Sequence, residues 1–382
     1  MKIIYLTTAL TTPDFASLNQ RLRLKANPSN QNFHHRLLLS FSQHHETTAV
    51  CYRPLPGYGH PFAWARESKT DQGIAYHYLP IINLPFLKQH LVIVSGSRLI
   101  RQMINNNRDE KPLVVVDAMN ATLRKLAQRL RRRHGLKAVA VVTDHPALLS
   151  GVSPAWARSC LKGMRRFDAF ITLTPALSAL ANPNRRPSVV LPGVIDEFVA
   201  PKKETIPYIF FAGALHSRYG ISHLLEAFSK LNAAVGLSIA GHGPEDEVRA
   251  AAQGDHRIRY LGQLPPDAIR EMECGALFNV NPRPSDETLD AYSIPSKFFE
   301  YLSSGSLTVS SRHPCLTKLF QEDVLWAGNG SVADLLEAMK TALALSEEAK
   351  RKMALTAKET VLSQFGIAAV GEFLVHFTNS LK

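Results

Sequence analysis

Cysteine is scarce. The 382 residues hold four, Cys51, Cys160, Cys274 and Cys315, far apart, with no CxxC pair and no Cys/His cluster at metal-ligand spacing. That excludes a disulfide scaffold, and a reducing cytoplasm is the expected location. No stretch reaches the ~18–20 apolar residues that a membrane-spanning helix needs. The opening MKIIYLTTAL has one lysine and a short apolar run, but Thr-Thr-Pro-Asp follows where a signal peptide would carry a small-residue cleavage site. It reads as a first strand. There is no low-complexity tract, no internal repeat and no acidic DxD motif at a strand end, so no metal site is expected. What is present, 45% hydrophobic and 20% charged residues, suits large buried cores and excludes disorder as the main character. The length favours two or three domains.

The excess of positive charge lies in one half. Residues 1–196 carry 26 Lys/Arg against 10 Asp/Glu, whereas the remainder carries 18 against 22. Two segments concentrate the excess. In 123–133, Leu123, Leu126, Ala127 and Leu130 recur at helical spacing while basic residues fill the other face. In 154–166, Ser153-Pro154 supplies an N-cap and first-turn pair, with Arg158, Lys162, Arg165 and Arg166 on one stripe beside Trp156. These segments read either as surface helices of an α/β domain or as a contact for anionic lipid headgroups at the inner face of the plasma membrane. No stacking-aromatic motif accompanies them, so nucleic acid is not an expected partner.

The chain alternates β and α almost throughout. Leu113–Val116 and Ala138–Val142 are nearly all apolar, as strands of a parallel sheet covered on both faces are. Pro, Gly and charge break the pattern from Leu191 to Pro207, and Leu55–Gln72 looks loop-like. A second β-α series starts at Tyr208. The expected fold class is α/β: two doubly wound, Rossmann-like domains facing a cleft, spanning 1–196 and 207–362. A linker at 197–206 joins them, and a C-terminal helix, 363–382, returns toward the first domain.

Ligands of such sheets bind at the carboxyl ends of the strands, and three turns of the second series suit a nucleoside diphosphate. Phe211–Gly220 follows a strand, with Gly213 allowing close backbone approach and Arg218 offering a charged fork. Ile239–Glu245 sets Gly241 and Gly243 before a helix, without the third glycine of GxGxxG. Tyr292–Gly305 is the most informative. Ser296 is placed to cap a helix starting at Lys297, so that exposed N–H groups and an ammonium meet the diphosphate, while Glu300, a turn further on, accepts a ribose diol. Taken singly, the first two segments also read as ordinary β–α turns and the third as a capped amphipathic helix with a solvated Lys and Glu, a reading that leaves the charge before Phe298-Phe299 unexplained.

The ordered set AGALxxxYG, AGHGP, YLGQLP and YSIPSKFFEYLSSG resembles the C-terminal domain of GT-B-fold glycosyltransferases. The subgroup it is most similar to is the retaining glycosyl transferases group 1, family four, bacterial surface-polysaccharide type. The resemblance implies transfer of a hexose from a nucleoside-diphosphate sugar, a UDP sugar for preference, to a glycan or lipid-linked acceptor, with retention and without metal or other cofactor. Glu300 matches the second glutamate of the family's E-x7-E motif, whereas the first falls on Tyr292. The backbone of Ser293, Ile294, Pro295 and Ser296, together with Lys297, takes that glutamate's place. The Arg and Lys usual in the first turn fall on Ala214 and Tyr219, leaving Arg218 and Lys297 as cations. Gln263 and Leu264 sit where relatives present backbone to the base. In the first domain Thr143-Asp144-His145-Pro146 resembles a T-x-H-D run, making His145 a donor-sugar contact with Asp117 on the same rim. The glycine pair many relatives carry after the first strand is replaced by Thr11-Thr-Pro-Asp-Phe. The expected catalytic set is His145, Lys297, Arg218 and Asp117. A catalytically inactive accessory chain and a nucleotide-sugar epimerase share this fold and remain alternatives.

Overall fold

A computed structural model describes residues 1–22, 28–55, 63–106, 110–149, 151–198 and 207–381. Most of the expected linker (199–206) and part of the expected Leu55–Gln72 loop (56–62) lie outside the described residues. The chain divides into two compact units: Met1–Val194 with Ala291–Ile294 and Ile367–Lys382, and Ile195–Asp290 with Pro295–Gly366.

The first unit is built on β1 (Lys2–Thr7), β2 (Glu46–Cys51), β3 (Ala63–Trp64), β4 (Glu67–Asp71), β5 (Ile74–Tyr78), β6 (Ile81–Ile82), β7 (Leu113–Asp117), β8 (Ala138–Val142), β9 (Ala169–Thr172) and β10 (Ser188–Val190). Eight of these form one sheet in the order β10-β9-β8-β7-β1-β2-β5-β4, while β3 and β6 make a separate ribbon. The large sheet is parallel except for β4, which runs antiparallel on β5 with Lys69 opposite Tyr76. Every residue of β7 and β8 is buried, which the uninterrupted apolar runs require. The β4 strand corrects the loop reading of Leu55–Gln72. Its sequence ESKTD has no apolar alternation because it is a solvent-facing edge.

Helix boundaries follow local chemistry. Asn120 Oδ1 accepts from the N–H groups of Thr122 and Leu123 and starts Ala121–His134, which Gly135 ends at φ 61°. Ser153 caps Pro154–Met164, as its Ser-Pro pair leads one to expect. The helix Ile367–Asn379 packs on Pro28–Ser42, with Gly371 against the Ser40 carbonyl.

The second unit has one parallel sheet of β11 (Tyr208–Ala214), β12 (Gly236–His242), β13 (Ile258–Tyr260), β14 (Phe278–Asn281), β15 (Leu307–Ser310) and β16 (Leu325–Trp326). Its order, β13-β12-β11-β14-β15-β16, is doubly wound. Ile209, Phe228, Leu237, Ile239, Phe278 and Val309 fill its core, each contributing roughly 1.5–3 kcal/mol of transfer free energy. In both units the strand order reverses beside the first strand, between β1 and β7 and between β11 and β14. A crevice opens at such a switch point, outside the carboxyl ends of the strands.

Candidate active site

At the switch point of the second unit the turn after β11 meets the segment after β14. Gly220, at φ +86°, packs its Cα on the Pro282 carbonyl, where any Cβ would collide. Arg218 stands exposed one residue before Tyr219, its guanidinium 5.4 Å from that ring. No ion pair reaches it among the described residues. Arg283 follows Pro282 and is buried, with Nη2 donating to Asp290 Oδ1 at 2.8 Å. Burial lowers its pKa below the usual arginine value, Asp290 opposes this, and the nearby Arg218 adds to it. Sequence reasoning missed Arg283 and Asp290, since a seven-residue separation across a turn carries no motif.

The turn after β12 lies against the first. Gly241 allows the two strands to close, because a Cβ there would run into the Gly213 carbonyl. The Leu215 N–H donates to His242 O at 2.9 Å, and Gly243 sits on Leu215. Gly213, Gly241 and Gly243 are thus brought together, and backbone packing accounts for the glycine at 241 and at 243. Gln263 is exposed, and Leu264 packs on the small cluster of Phe210, Ala212, Ala240 and Ala276.

The third segment differs from expectation in two respects. The helix is Ser296–Ser303, with Pro295 at the N-cap and no side-chain cap bond, so Ser296 is its first residue and not its cap. Lys297 does not stand free at the helix start. Its Nζ donates to Glu273 Oε1 at 3.1 Å and, more closely, to Glu300 Oε2. Burial opposes the ammonium, but the two carboxylates outweigh it and hold its pKa above the ordinary lysine value. Glu273, 1% exposed, is pushed up to about 7, burial being the larger cause and Lys297 the main restraint. The cluster borders a void of about 10 Å³, room for one water, lined also by Arg270. Tyr301 ties the helix to β11, accepting from Ala212 N at 2.8 Å and donating to its carbonyl at 3.1 Å.

Ala291–Ile294 belongs to the first unit: Thr174 Oγ1 donates to the Ala291 carbonyl at 2.7 Å. Tyr292, in place of the first motif glutamate, sets its ring 4.7 Å from that of His145, edge to face. Ser293 is half-buried and Ile294 buried. His145 Nδ1 accepts from the Ala147 N–H at 3.1 Å, capping the short Pro146–Leu148 turn. Asp117, 3% exposed, ends β7; its Oδ1 accepts from Met119 N at 3.0 Å and lies 3.7 Å from His34 Nε2. Among the described residues no three His, Cys, Asp or Glu side chains gather as metal ligands, and no helix is long and apolar enough to cross a membrane.

Solved structures of GT-B glycosyltransferases share this fold. Sucrose-phosphate synthase from Thermosynechococcus elongatus superposes with TM-score 0.69 at 13% identity, covering 100% of this chain and 99% of that one. HepE from Anabaena, in complex with UDP and glucose, gives 0.66 at 12% over 100% of both chains. An α,α-trehalose-phosphate synthase (UDP-forming) from Burkholderia vietnamiensis gives 0.66 at 12%, covering 99% and 98%. No curated protein sequence matches. These likenesses show the GT-B fold. Residues 218–375 match the model of a family described as glycosyl transferase-like.

Proposed function

We propose that the chain transfers a hexose from a nucleoside-diphosphate sugar to a glycan or lipid-linked acceptor, with retention, without metal, in surface-polysaccharide or glycoconjugate synthesis. The observation that carries this reading is the coincidence of the glycosyl transferase-like match, 218–375, with a switch point where Arg218 is exposed. Transfer develops negative charge on the departing diphosphate, and fixed donors there lower the barrier. The N–H groups of Ser296 and Lys297, with no side-chain cap, and the Arg218 fork are the groups suited to that work. The UDP that relatives such as HepE hold supports a UDP-linked donor. Calorimetric titration with UDP tests this: micromolar binding that the Arg218→Ala variant weakens is expected. Absence of binding by UDP and by the other nucleoside diphosphates would sink the donor reading. It would leave a non-catalytic accessory chain, which Ala214, Tyr219 and the internally paired Lys297 favour.

A peripheral contact with anionic lipid is the second proposal, and the structure narrows its chemistry. Arg124 is buried, bonded to the Ala118 carbonyl, and Arg131 is spent on Asp168, so neither serves a bilayer. Lys125, Arg132, Arg133, Arg158, Lys162, Arg165 and Arg166 stay exposed. Phe86, 89% exposed at φ 60°, stands beside exposed Leu84 and Leu87 as an apolar tip of the same unit. Sedimentation with phosphatidylglycerol vesicles is expected, weakened several-fold by Arg158→Glu/Lys162→Glu and by Phe86→Ser; equal recovery with and without anionic lipid would dismiss it.

A further inference from the structure

Two arginines from different segments are brought to the switch point of the second unit. Arg218, on the turn after β11, is exposed; Arg283, on the segment after β14, is 7% exposed. Gly220 sets the approach of the two segments. A Cβ there would collide with the Pro282 carbonyl and come within 3.1 Å of the Arg283 nitrogen. We propose that Arg283 is a second cation for the donor's diphosphate, a fixed charge that backs the exposed Arg218 and is held in place by Asp290. The proposal rests on the donor reading of this turn.

Three observations carry it. Arg283 is anchored at both ends: its Nη2 donates to Asp290 Oδ1 at 2.8 Å, and its own carbonyl accepts from Ser311 Oγ, with Gly330 packed on that carbonyl. A donor fixed in this way needs no reorganisation when negative charge develops beside it.

The ion pair also has a direction. Asp290 Oδ2 accepts from the Asp286 N–H at 3.1 Å, Oδ1 lies 3.8 Å from His313 Nε2, and the charge of Asp290 reaches Cys315. The guanidinium instead feels Tyr219 and Arg218, on the turn after β11. The positive end of the pair is therefore the end toward the donor turn.

Finally, the two arginines repel one another. Burial disfavours the charged form of Arg283, and Arg218 adds to that effect. An anion lying against both guanidinium groups relieves the repulsion, whereas an ion pair that served the fold alone could be replaced by apolar residues without loss.

Calorimetric titration of the full chain with UDP, GDP and ADP at pH 8 tests this, with the melting temperature read alongside. Arg283→Met is expected to weaken the diphosphate that binds best by about 10-fold, the worth of one hydrogen bond to a charged group. Asp290→Asn keeps an oxygen for the guanidinium and removes the opposing charge. The same ligand is then expected to bind ~3-fold tighter, even where that variant melts lower. A scaffold role would weaken binding in both. Arg283→Met/Asp290→Leu keeps the net charge and leaves no unpaired carboxylate, so it gives the reading where Arg283→Met does not fold. Its diphosphate affinity is expected to stay several-fold below wild type. Binding by Asp290→Asn no tighter than wild type, or unchanged binding in the double variant, overturns the proposal and leaves the donor reading standing. A wild type that binds none of the three diphosphates overturns both.

Discussion

Lys297→Met destabilises the second unit by about 3 kcal/mol at pH 8 and by much less at pH 5, measured as urea unfolding of the variant against wild type. Removing one partner of a buried pair leaves the other charge uncompensated, at about 3–5 kcal/mol. The lower end applies because the Lys297 side chain keeps 31% of its exposure, whereas Glu273 keeps 2%. The pH dependence comes from Glu273. Its folded pKa, about 7, stands above the ordinary glutamate value. Protonated Glu273 therefore contributes stability that is fully present below that ordinary value, and this is lost as pH rises through 7. At pH 5 the carboxyl holds its proton with or without the lysine, and only Glu300 loses a partner. At pH 8 the wild type has Lys297 to balance an ionised Glu273; the variant does not. Adding Glu273→Leu to Lys297→Met is expected to recover most of the loss. Equal destabilisation at both pH values, or no recovery in the double variant, would show that the cluster is not coupled in this way.

The same cluster marks where the sequence stops being informative. Glu273 sits in Pro266–Gly275, whose pattern is that of an amphipathic helix, and only tertiary packing lays that glutamate over Lys297. Sequence spacing puts Lys297 at a helix start and Glu300 one turn on, and the structure agrees on both positions. What spacing cannot supply is the second carboxylate, Glu273, that turns the lysine inward. Arg124 and Arg131 teach the same lesson in the first unit: helical periodicity identifies the buried leucines of Ala121–His134, yet two of its cations are consumed by Ala118 and Asp168. The β-α alternation was legible because parallel strands covered on both faces need continuous apolar runs, as in β7 and β8. The edge strand β4, which needs none, was not. Asp117 was legible as a polar residue ending a buried strand; the His34 ring beside it is supplied by Pro28–Ser42 folding back, a contact without a local signal.

With Lys297 engaged internally, Arg218 is the lysine or arginine of the three donor turns that has no carboxylate partner among the described residues. Arg218→Ala is accordingly expected to lower sugar transfer about 100-fold, the usual consequence of removing one preorganised donor from a developing anion. The fold should tolerate the change, since the side chain is exposed, with its guanidinium near the Tyr219 ring. Melting temperature then stays near that of wild type. Arg218→Lys separates charge from shape: a lysine keeps the positive charge but not the planar fork, so recovery of only a part of the rate identifies a two-point grip on phosphate oxygens. Steady-state kinetics distinguish the roles further. If Arg218 holds the diphosphate equally before and during transfer, KM rises alone; if it works mainly as the bond to the leaving group breaks, kcat falls with kcat/KM. Lys297→Met supplies the contrast. Because that ammonium is spent on Glu273 and Glu300, its loss should reach activity in proportion to the lost stability, and should recover with it in the double variant. Wild-type turnover in Arg218→Ala, or a Lys297→Met variant that stays folded but is as inactive as Arg218→Ala, would reverse the assignment of the two cations.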